Sequence, residues 1–190
     1  MHKLFYLFIC IGFFSFAQKS TGTIHFNDGT SKLGLVSLKL HNNKIYYKSN
    51  KSAKREYYDI KIIKSISFYE NSEFNNYVYL KDNTGSFFYK VILLNDNVSL
   101  YSITTQSNNF TTIGNGMSVN FSQGGKSTFY YVKRKNEKFV TKIGDTHVKK
   151  RIAKKYFNDC KWLMKQMKGI KIHKEMSVIE FVNVYNKCVN

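Results

Sequence analysis

The chain has 190 residues, of which 30 are lysine or arginine and 12 are aspartate or glutamate, and its formal net charge is +18. A chain of this length suits one domain and buries roughly 70% of the surface that its unfolded form exposes. After residues 1–17 no stretch is apolar enough to cross a bilayer as a helix. The composition therefore excludes an integral membrane protein built on helices once that first segment is removed.

The positive charge has two explanations. The first is affinity for polyanions, such as nucleic acid, lipopolysaccharide, anionic polysaccharide or a membrane surface. The second is codon composition, because the chain has three arginines, three alanines, 19 asparagines and no proline. Lysine, asparagine, isoleucine, phenylalanine and tyrosine are the residues of A/T-rich codons. Both explanations remain open from the sequence.

Residues 1–17 have the pattern of a secretory signal peptide. Lys3 precedes an apolar run from Leu4 to Phe14, and the small residues Ser15 and Ala17 stand at positions −3 and −1 of a cleavage site. The run is too short to span a bilayer comfortably. We therefore expect export through the general secretory route, to the periplasm, the cell surface or the extracellular space.

Two cysteines remain once the leader is removed with Cys10. Both Cys160 and Cys188 lie in the C-terminal region of a chain bound for an oxidising compartment, so the sequence predicts a disulfide between them. This bond would close a loop of about 29 residues and stabilise the fold by about 3–4 kcal/mol.

Residues 18–144 are predicted to form a β-rich body, because apolar and polar residues alternate between closely spaced turn signals. Asn27–Gly29 and Asp82–Gly85 are the clearest hairpin turns. Residues 104–127 are rich in serine, threonine, asparagine and glycine, which predicts a flexible loop. The predicted strands are Thr21–Phe26, Thr30–Leu40, Lys44–Lys48, Arg55–Asp59, Ile60–Tyr69, Asn76–Leu80, Ser86–Leu94, Val98–Ile103, Thr128–Lys133 and Lys138–Ile143.

Residues 145–190 change to a helical period and form a predicted helical subdomain in the same domain. Asp145 is placed to cap a first helix and Gly169 to end it. Asn158–Asp159 is a predicted break, after which Asp159 caps the second half. Ser177–Glu180 has the pattern of a capping box that opens the last helix. The apolar face of the first helix comprises Val148, Ile152, Tyr156, Cys160, Leu163 and Met167.

These elements predict an α+β fold. We expect an antiparallel curved sheet or open β-barrel of about eight to ten strands, followed by the helical subdomain that packs on it.

No motif for catalysis, metal binding or cofactor binding is complete. Gly124–Ser127 resembles the end of a phosphate-binding loop, but Asn120 stands where the first glycine is required and a strand follows. Ser118 lacks the frame of an esterase nucleophile, and the histidines have no metal-ligand spacing. The sequence therefore predicts no catalytic residue, no metal and no cofactor.

Adjacent tyrosine pairs recur along the strands, and neighbouring residues of a strand face opposite sides of a sheet. The rings could form the core and ordinary surface of the sheet, where tyrosine is favoured. Alternatively, an aromatic face beside lysines could stack on sugars or bases. The candidate ligand-binding residues under the second interpretation are Tyr46, Tyr58, Tyr79, Tyr131 and Lys133.

Several segments carry a resemblance to a known group of proteins: Ser15–Gln18, Gly22–Thr30, Tyr130–Lys133, Tyr156–Cys160 and Val184–Cys188. Together they resemble small secreted proteins of Bacteroidota that have a β-rich body and a C-terminal helical tail with two cysteines. The resemblance covers most of the chain after the leader. It implies export and this architecture, and it implies no activity.

The first functional hypothesis is a non-enzymatic binding or structural protein of the cell envelope or the extracellular space. Its expected partners are anionic polysaccharide, lipopolysaccharide or another envelope protein. The alternative is a cell-envelope hydrolase whose site is assembled in space, and a third hypothesis is a part of a larger surface assembly.

Overall fold

The computed structural model of the chain describes residues 20–41, 44–70, 73–106, 126–167 and 176–189. The predicted leader at residues 1–17 lies outside these ranges, as does Gly169, predicted to end the first helix. Of the predicted loop at residues 104–127, only the two ends are described.

The described residues form one open antiparallel sheet of ten strands followed by three short helices, which confirms the predicted α+β class. The order across the sheet is β10-β9-β8-β7-β6-β5-β1-β2-β3-β4, so β10 and β4 are its edges and the sheet is not a closed barrel. The strands are β1 (Ser20–Phe26), β2 (Ser31–His41), β3 (Lys44–Lys48), β4 (Glu56–Asp59), β5 (Ile63–Glu70), β6 (Glu73–Lys81), β7 (Ser86–Leu93), β8 (Ser99–Gln106), β9 (Lys126–Lys133) and β10 (Thr141–Gly144).

The two predicted glycine turns are present. At the first, Gly29 has a φ of 87°, which residues with a side chain rarely adopt, and the Phe26 amide donates to the Thr30 carbonyl over 2.9 Å. At the second, the Asp82 carboxylate accepts from the Gly85 amide over 2.9 Å. These turns join β1 to β2 and β6 to β7.

The predicted strand Ile60–Tyr69 is wrong at its start, because Ile60–Ile62 forms a single 3-10 turn and β5 begins after it. The Asp59 carboxylate accepts from the Lys61 amide over 2.8 Å, and this local bond replaces a strand bond. Ile60 is still 6% exposed, so the turn keeps an apolar anchor in the core.

The predicted last strand, Lys138–Ile143, is also shifted, since β10 begins at Thr141. Before it, residues 134–137 form a turn in which the Glu137 carboxylate accepts from the Arg134 amide over 2.8 Å.

The predicted loop at residues 104–127 is partly strand. β8 and β9 extend into it, with Thr104 opposite Thr128 and Gln106 opposite Lys126. The hydroxyl groups of Thr104 and Thr128 lie 2.9 Å apart and hydrogen-bond across the pair.

Five neighbouring strands, β5-β1-β2-β3-β4, bend around one face of the sheet, and we call this part the first curl. Phe26 of β1 and Tyr58 of β4 lie three strands apart in the sheet order, yet their ring centroids are 5.1 Å apart. The Asn27 amide also donates to the Ile62 carbonyl over 2.9 Å. The buried core of the first curl comprises Ile24, Phe26, Val36, Ile45, Tyr47, Ile60, Ile63, Ile66 and Phe68, with Phe88 from β7.

Two glycines let the strands of the first curl approach closely. A Cβ atom on Gly22 would lie 2.5 Å from the Ser67 carbonyl oxygen, and one on Gly34 would lie 2.3 Å from the Lys48 carbonyl oxygen. Either contact is far below van der Waals distance, so the backbone could not keep this path with a larger residue.

The other five strands, β6 to β10, bend in the opposite sense and form the second curl. Tyr89 and Val140 are 0% and 2% exposed inside it, and the Tyr89 hydroxyl donates to the Asp82 carboxylate over 3.0 Å. The Val140 amide donates to the Lys81 carbonyl over 2.9 Å, which brings the start of β10 to the end of β6.

The two curls bury opposite faces of one continuous sheet. Tyr79 pairs with Phe88, which packs in the core of the first curl, whereas their neighbours Val78 and Tyr89 pack inside the second curl. The sheet is therefore S-shaped in cross-section. The face that lies inside the first curl becomes the outer face of the second.

The helices cover that outer face of the second curl. They are α1 (Lys150–Tyr156), α2 (Lys161–Gln166) and α3 (Val178–Cys188). None of the helices in the described ranges is long and apolar enough to cross a membrane. Their core comprises Val98, Leu100, Val132, Ile143 and Val148 from the sheet side, and Ala153, Phe157, Cys160, Leu163, Met167, Val178, Phe181, Val182 and Tyr185 from the helices.

The helix break at Asn158–Asp159 is confirmed, but two predicted caps are wrong. Asp145 does not cap α1, because its carboxylate accepts from the adjacent Thr146 amide and α1 begins after Lys149. Asp159 does not cap α2, since the N-cap is Cys160, whose Sγ accepts from the Leu163 amide.

The last helix begins as predicted. The Ser177 hydroxyl accepts from the Glu180 amide over 3.2 Å, so Ser177 is the N-cap of α3. The predicted disulfide joins Cys160 to Cys188 with a Cα–Cα distance of 5.9 Å. It ties the start of α2 to the last residue of α3.

Candidate binding surface on the β3–β4 hairpin

The β3–β4 hairpin separates its tyrosines into an inner and an outer set. Tyr47 and Tyr58 face the core of the first curl, where Tyr47 is 5% exposed. Tyr46 and Tyr57 are paired on the opposite face, and Tyr57 is 52% exposed. The expectation that adjacent tyrosines point to opposite sides is therefore confirmed here.

The inner face fixes the edge strand β4 to β2. Lys32 Nζ donates to the Tyr58 hydroxyl over 2.5 Å and to Glu56 Oε2 over 3.2 Å, and the Tyr58 hydroxyl donates to the same carboxylate. The bonds from Tyr58 and Lys32 lower the pKa of Glu56, and those to Tyr58 and Glu56 raise the pKa of Lys32. Burial, followed by the bond to Glu56, raises the pKa of Tyr58.

The outer face presents aromatic rings among cations. The rings of Tyr46 and Tyr57 meet edge to face with centroids 4.8 Å apart, and the Arg55 guanidinium lies 5.5 Å from the Tyr46 centroid. The register places Lys44 and Lys48 on the same side, two residues before and after Tyr46 on β3. We call the set Lys44, Tyr46, Lys48, Arg55 and Tyr57 the hairpin surface.

The acidic side chains of the hairpin are already engaged. Residues 44–59 carry five basic residues, at positions 44, 48, 51, 54 and 55, and two acidic residues, Glu56 and Asp59. Glu56 pairs with Lys32 on the inner face, and Asp59 accepts from the Lys61 amide. Asp59 lies opposite Lys44 on the outer face, whereas Glu56 lies on the inner face. With Lys44, Lys48 and Arg55 against one carboxylate, the hairpin surface keeps a net positive charge.

Other apolar side chains lie further along the outer face of the first curl. Tyr69 and Phe74 form an exposed cross-strand pair on β5 and β6, with ring centroids 5.3 Å apart and exposures of 63% and 60%. Leu33 on β2 is 69% exposed. The register places this pair across the intervening strands from the hairpin.

The structure places the five candidate residues on both faces of the sheet. Tyr46 belongs to the hairpin surface, whereas Tyr58 and Tyr79 pack against the core of the first curl. Tyr131 packs inside the second curl, with its ring 4.9 Å from that of Tyr89. Lys133 is half-buried at the end of β9, opposite Ser99.

Sequence reasoning missed a polar cluster around Arg134. Its Nη2 atom donates to the Tyr156 carbonyl (2.7 Å), to Asp159 Oδ2 (3.0 Å) and to the Tyr185 hydroxyl (2.8 Å). The Tyr156 hydroxyl in turn donates to Glu137. The cluster joins the β9–β10 turn to α1, to the break between α1 and α2, and to α3. The one signal for this cluster in the sequence is that arginine is rare, since Arg134 is one of three arginines in the chain.

Opposing effects set the proton affinities in this cluster. Burial alone would raise the pKa of Asp159, but the hydrogen bond from Tyr185 and the charge of Arg134 outweigh burial and lower it. Burial and the bond to Asp159 raise the pKa of Tyr185 to about 12. The cluster therefore holds an ionised carboxylate and a neutral phenol across the neutral pH range.

A cavity of about 510 Å³ lies between the start of β9, the segment after β10 and the start of α3. Its one carboxylate among the lining residues is Asp145, and the hydrogen bond from the Thr146 amide lowers the pKa of that carboxyl. The lining comprises Lys126, Ser127, Thr128, Phe129, Tyr130, Asp145, Thr146, Ser177, Val178 and Ile179.

Among the described residues, no group of three or more histidine, cysteine, aspartate or glutamate side chains is placed to hold a metal ion. The searches against protein-family models, curated proteins and solved structures gave no match to this chain.

Proposed function

We propose that the chain is an exported, non-enzymatic binding module that holds an anionic polysaccharide on the hairpin surface. The observation that carries this proposal is the half-exposed ring of Tyr57 on one face of an edge hairpin. It packs on Tyr46, whose ring lies near the Arg55 guanidinium and between two lysines of β3. The resemblance to secreted proteins of Bacteroidota remains a prediction and agrees with an exported protein.

The chemistry of the surface suits a charged sugar polymer. An exposed phenol ring offers an apolar face for the C–H groups of a sugar ring and a hydroxyl for its polar edge. The guanidinium of Arg55 can bind a carboxylate or sulfate with two parallel hydrogen bonds, and Lys44 and Lys48 add further positive charge. Because Tyr58 anchors the other face of the hairpin, Tyr57 needs little reordering on binding.

Export is supported by the disulfide, since disulfides persist in oxidising compartments. The leader at residues 1–17 supports the same destination from the sequence. An exported module with this surface would meet polysaccharides of the envelope or the medium before it met nucleic acid, which favours the polysaccharide among the polyanions.

The test is binding to immobilised alginate, a polyuronate, with neutral dextran as the reference matrix. Tyr57→Ala should weaken binding by about 5- to 150-fold, because a stacked aromatic residue contributes about 1–3 kcal/mol. The matched control is Tyr69→Ala, which removes an equally exposed and paired ring from the same face but away from the hairpin. Arg55→Gln should weaken binding and reduce its dependence on salt.

Equal losses for the Tyr57 and Tyr69 variants would refute the hairpin surface as the site. Equal binding of the unchanged chain to alginate and dextran would refute an anionic ligand. The alternative, an envelope hydrolase, is tested in the same incubations by measuring released reducing ends. Release that Asp145→Asn abolishes would favour the cavity and the hydrolase.

A further inference from the structure

The outer face of α1 is uniformly basic. Lys150, Arg151, Lys154 and Lys155 are all exposed and lie within an arc of about 140° around the helix axis. On the opposite side, Ala153 is fully buried against the sheet. The charges therefore face away from the molecule as one stripe.

The outer face of α2 is also basic and adds a large apolar ring. Lys161 and Lys165 are exposed, and between them Trp162 is 55% exposed. Trp162 is the one tryptophan of the chain. The next residue, Leu163, is fully buried, so the core fixes the direction in which the indole points. We call these seven side chains the helical basic surface: Lys150, Arg151, Lys154, Lys155, Lys161, Trp162 and Lys165.

The acidic residue between the two helices does not neutralise this surface. Asp159 is the one acidic side chain in residues 149–167, and its carboxylate accepts from Arg134 over 3.0 Å and from the Tyr185 hydroxyl over 2.7 Å. Both partners belong to the internal cluster. The stripe therefore retains its charge.

A charged helix face ordinarily needs no explanation beyond solvation. Solvation does not account for an indole that is 55% exposed between Lys161 and Lys165. Tryptophan is enriched at the boundary between membrane and water, where its ring is apolar and its N–H finds a partner. Lysine and arginine on the same helical face are typical of segments that lie on anionic lipid surfaces.

We propose that the helical basic surface docks on a membrane that contains anionic phospholipids, with Trp162 at the depth of the headgroups. The lysines have long flexible stems on the exposed faces of two helices, so they suit the diffuse charge of a lipid plane better than the fixed geometry of one polymer chain. The Cys160–Cys188 disulfide holds the start of α2 against α3 and so fixes the orientation of the surface. This surface is separate from the hairpin surface.

The test uses vesicles of phosphatidylcholine with and without phosphatidylglycerol, and the chain without residues 1–17. Trp162 reports contact with the membrane directly, because the fluorescence of the one tryptophan shifts to the blue when its ring leaves water. We expect co-sedimentation and a blue shift with the phosphatidylglycerol vesicles, and loss of both with pure phosphatidylcholine or at high salt.

Two double variants with the same change in net charge separate the surfaces. Lys154→Gln with Lys155→Gln should weaken vesicle binding about 30-fold, because each charge near an anionic membrane contributes about fivefold. Lys51→Gln with Lys54→Gln, in the exposed loop of the hairpin, should weaken it much less.

Several results would overturn the proposal. These are equal losses for the two double variants, sedimentation with vesicles without a shift of the Trp162 emission, and a blue shift with alginate or DNA but not with vesicles. The last result would assign the surface to a polyanion chain instead. Failure of vesicle binding leaves the alginate test of the hairpin surface unaffected.

Discussion

The two curls are built from neighbouring halves of the same sheet, but their two faces differ in how far they are exposed to solvent. In the first curl the inner face forms the core and the outer face is left in water, with Tyr57 and Tyr69 more than half exposed. In the second curl part of each face is covered, since Tyr89 is buried inside it and Leu100 is buried under the helices. Phe74 on β6 and Phe87 on β7 remain exposed.

The difference shows that exposure of an aromatic strand residue in this protein depends on whether another segment of the chain folds over its face of the sheet. Tyr57 and Tyr131 both belong to adjacent tyrosine pairs on strands. Tyr57 points away from the interior of the first curl and lies in solvent, whereas Tyr131 points into the second curl and packs on Tyr89. The aromatic face of the first curl is thus the exception, which is the reason to look for a ligand there.

The largest expected effect comes from truncating one large core residue in each half. Phe157→Ala, under the helices, should lower the free energy of unfolding by about 3–5 kcal/mol, and Ile45→Ala, in the first curl, by about 2–5 kcal/mol. Because one sheet runs through both curls, we expect a single transition in each variant. Trp162 fluorescence, which reports the helices, and far-ultraviolet circular dichroism should give the same midpoint.

A lower midpoint for Trp162 than for the circular dichroism signal would show that the helices unfold as a separate unit. The conservative variant Ile45→Val serves as the control, since it should lower stability by only about 0.5–1.5 kcal/mol.

Removal of the disulfide should have the next largest effect. Cys160→Ser with Cys188→Ala should destabilise the fold by about 3–4 kcal/mol, because the unfolded chain is no longer cross-linked. Denaturation in urea, followed by Trp162 fluorescence, measures this change. The same loss on reduction of the unchanged chain would assign it to the bond and not to the new side chains. An unchanged midpoint would contradict the role of the bond.

The smallest effect concerns pH and the Arg134 cluster. The pKa of Asp159 is lowered by folding, so its contribution to stability is present above its unfolded pKa of about 4 and is lost as the pH falls through the lower folded value. Since Asp159 is partly exposed, Asp159→Asn should cost about 0.5–1 kcal/mol at pH 6 and less at pH 3.

Urea denaturation at the two pH values measures this difference. Asp96→Asn, at an exposed turn, is the control and should change stability equally little at both. A loss for Asp159→Asn that is the same at pH 3 as at pH 6 would contradict the assigned charge.

The strands and turns were largely predictable because their signals are local. Lys44–Lys48 was predicted to the residue, and Gly29 has the positive φ that the turn requires. The 3-10 turn after Asp59 was missed, because the run of isoleucines beyond it has equally strong strand character. The capping role of Cys160 is not predictable from the pattern, because the adjacent Asp159 is of a residue type that caps helices far more often.

The direction of each curl and the Arg134 cluster could not be predicted, because both depend on residues far apart in the chain. The Val140 amide donates to the Lys81 carbonyl, and Arg134 binds partners on α1 and α3. Alternation predicts that Tyr46 and its neighbour face opposite sides, but it does not tell which side becomes the interior. For this reason the predicted ligand-binding residues include Tyr58 and Tyr79, which face the core.

The edge strand β4 has a consequence for folding fidelity. Its sequence, Glu56-Tyr57-Tyr58-Asp59, is nearly its own mirror image, so a slip by one residue would again put one tyrosine and one carboxylate on each face. The sequence of β4 alone therefore does not specify its register with β3. The correct alignment is specified from outside the strand, by the bond from the Lys61 amide to Asp59 and by the burial of Ile60 in the adjoining turn. A substitution of Ile60 would therefore favour the slipped register, in which Tyr58 and not Tyr57 is exposed, although the substitution changes neither tyrosine.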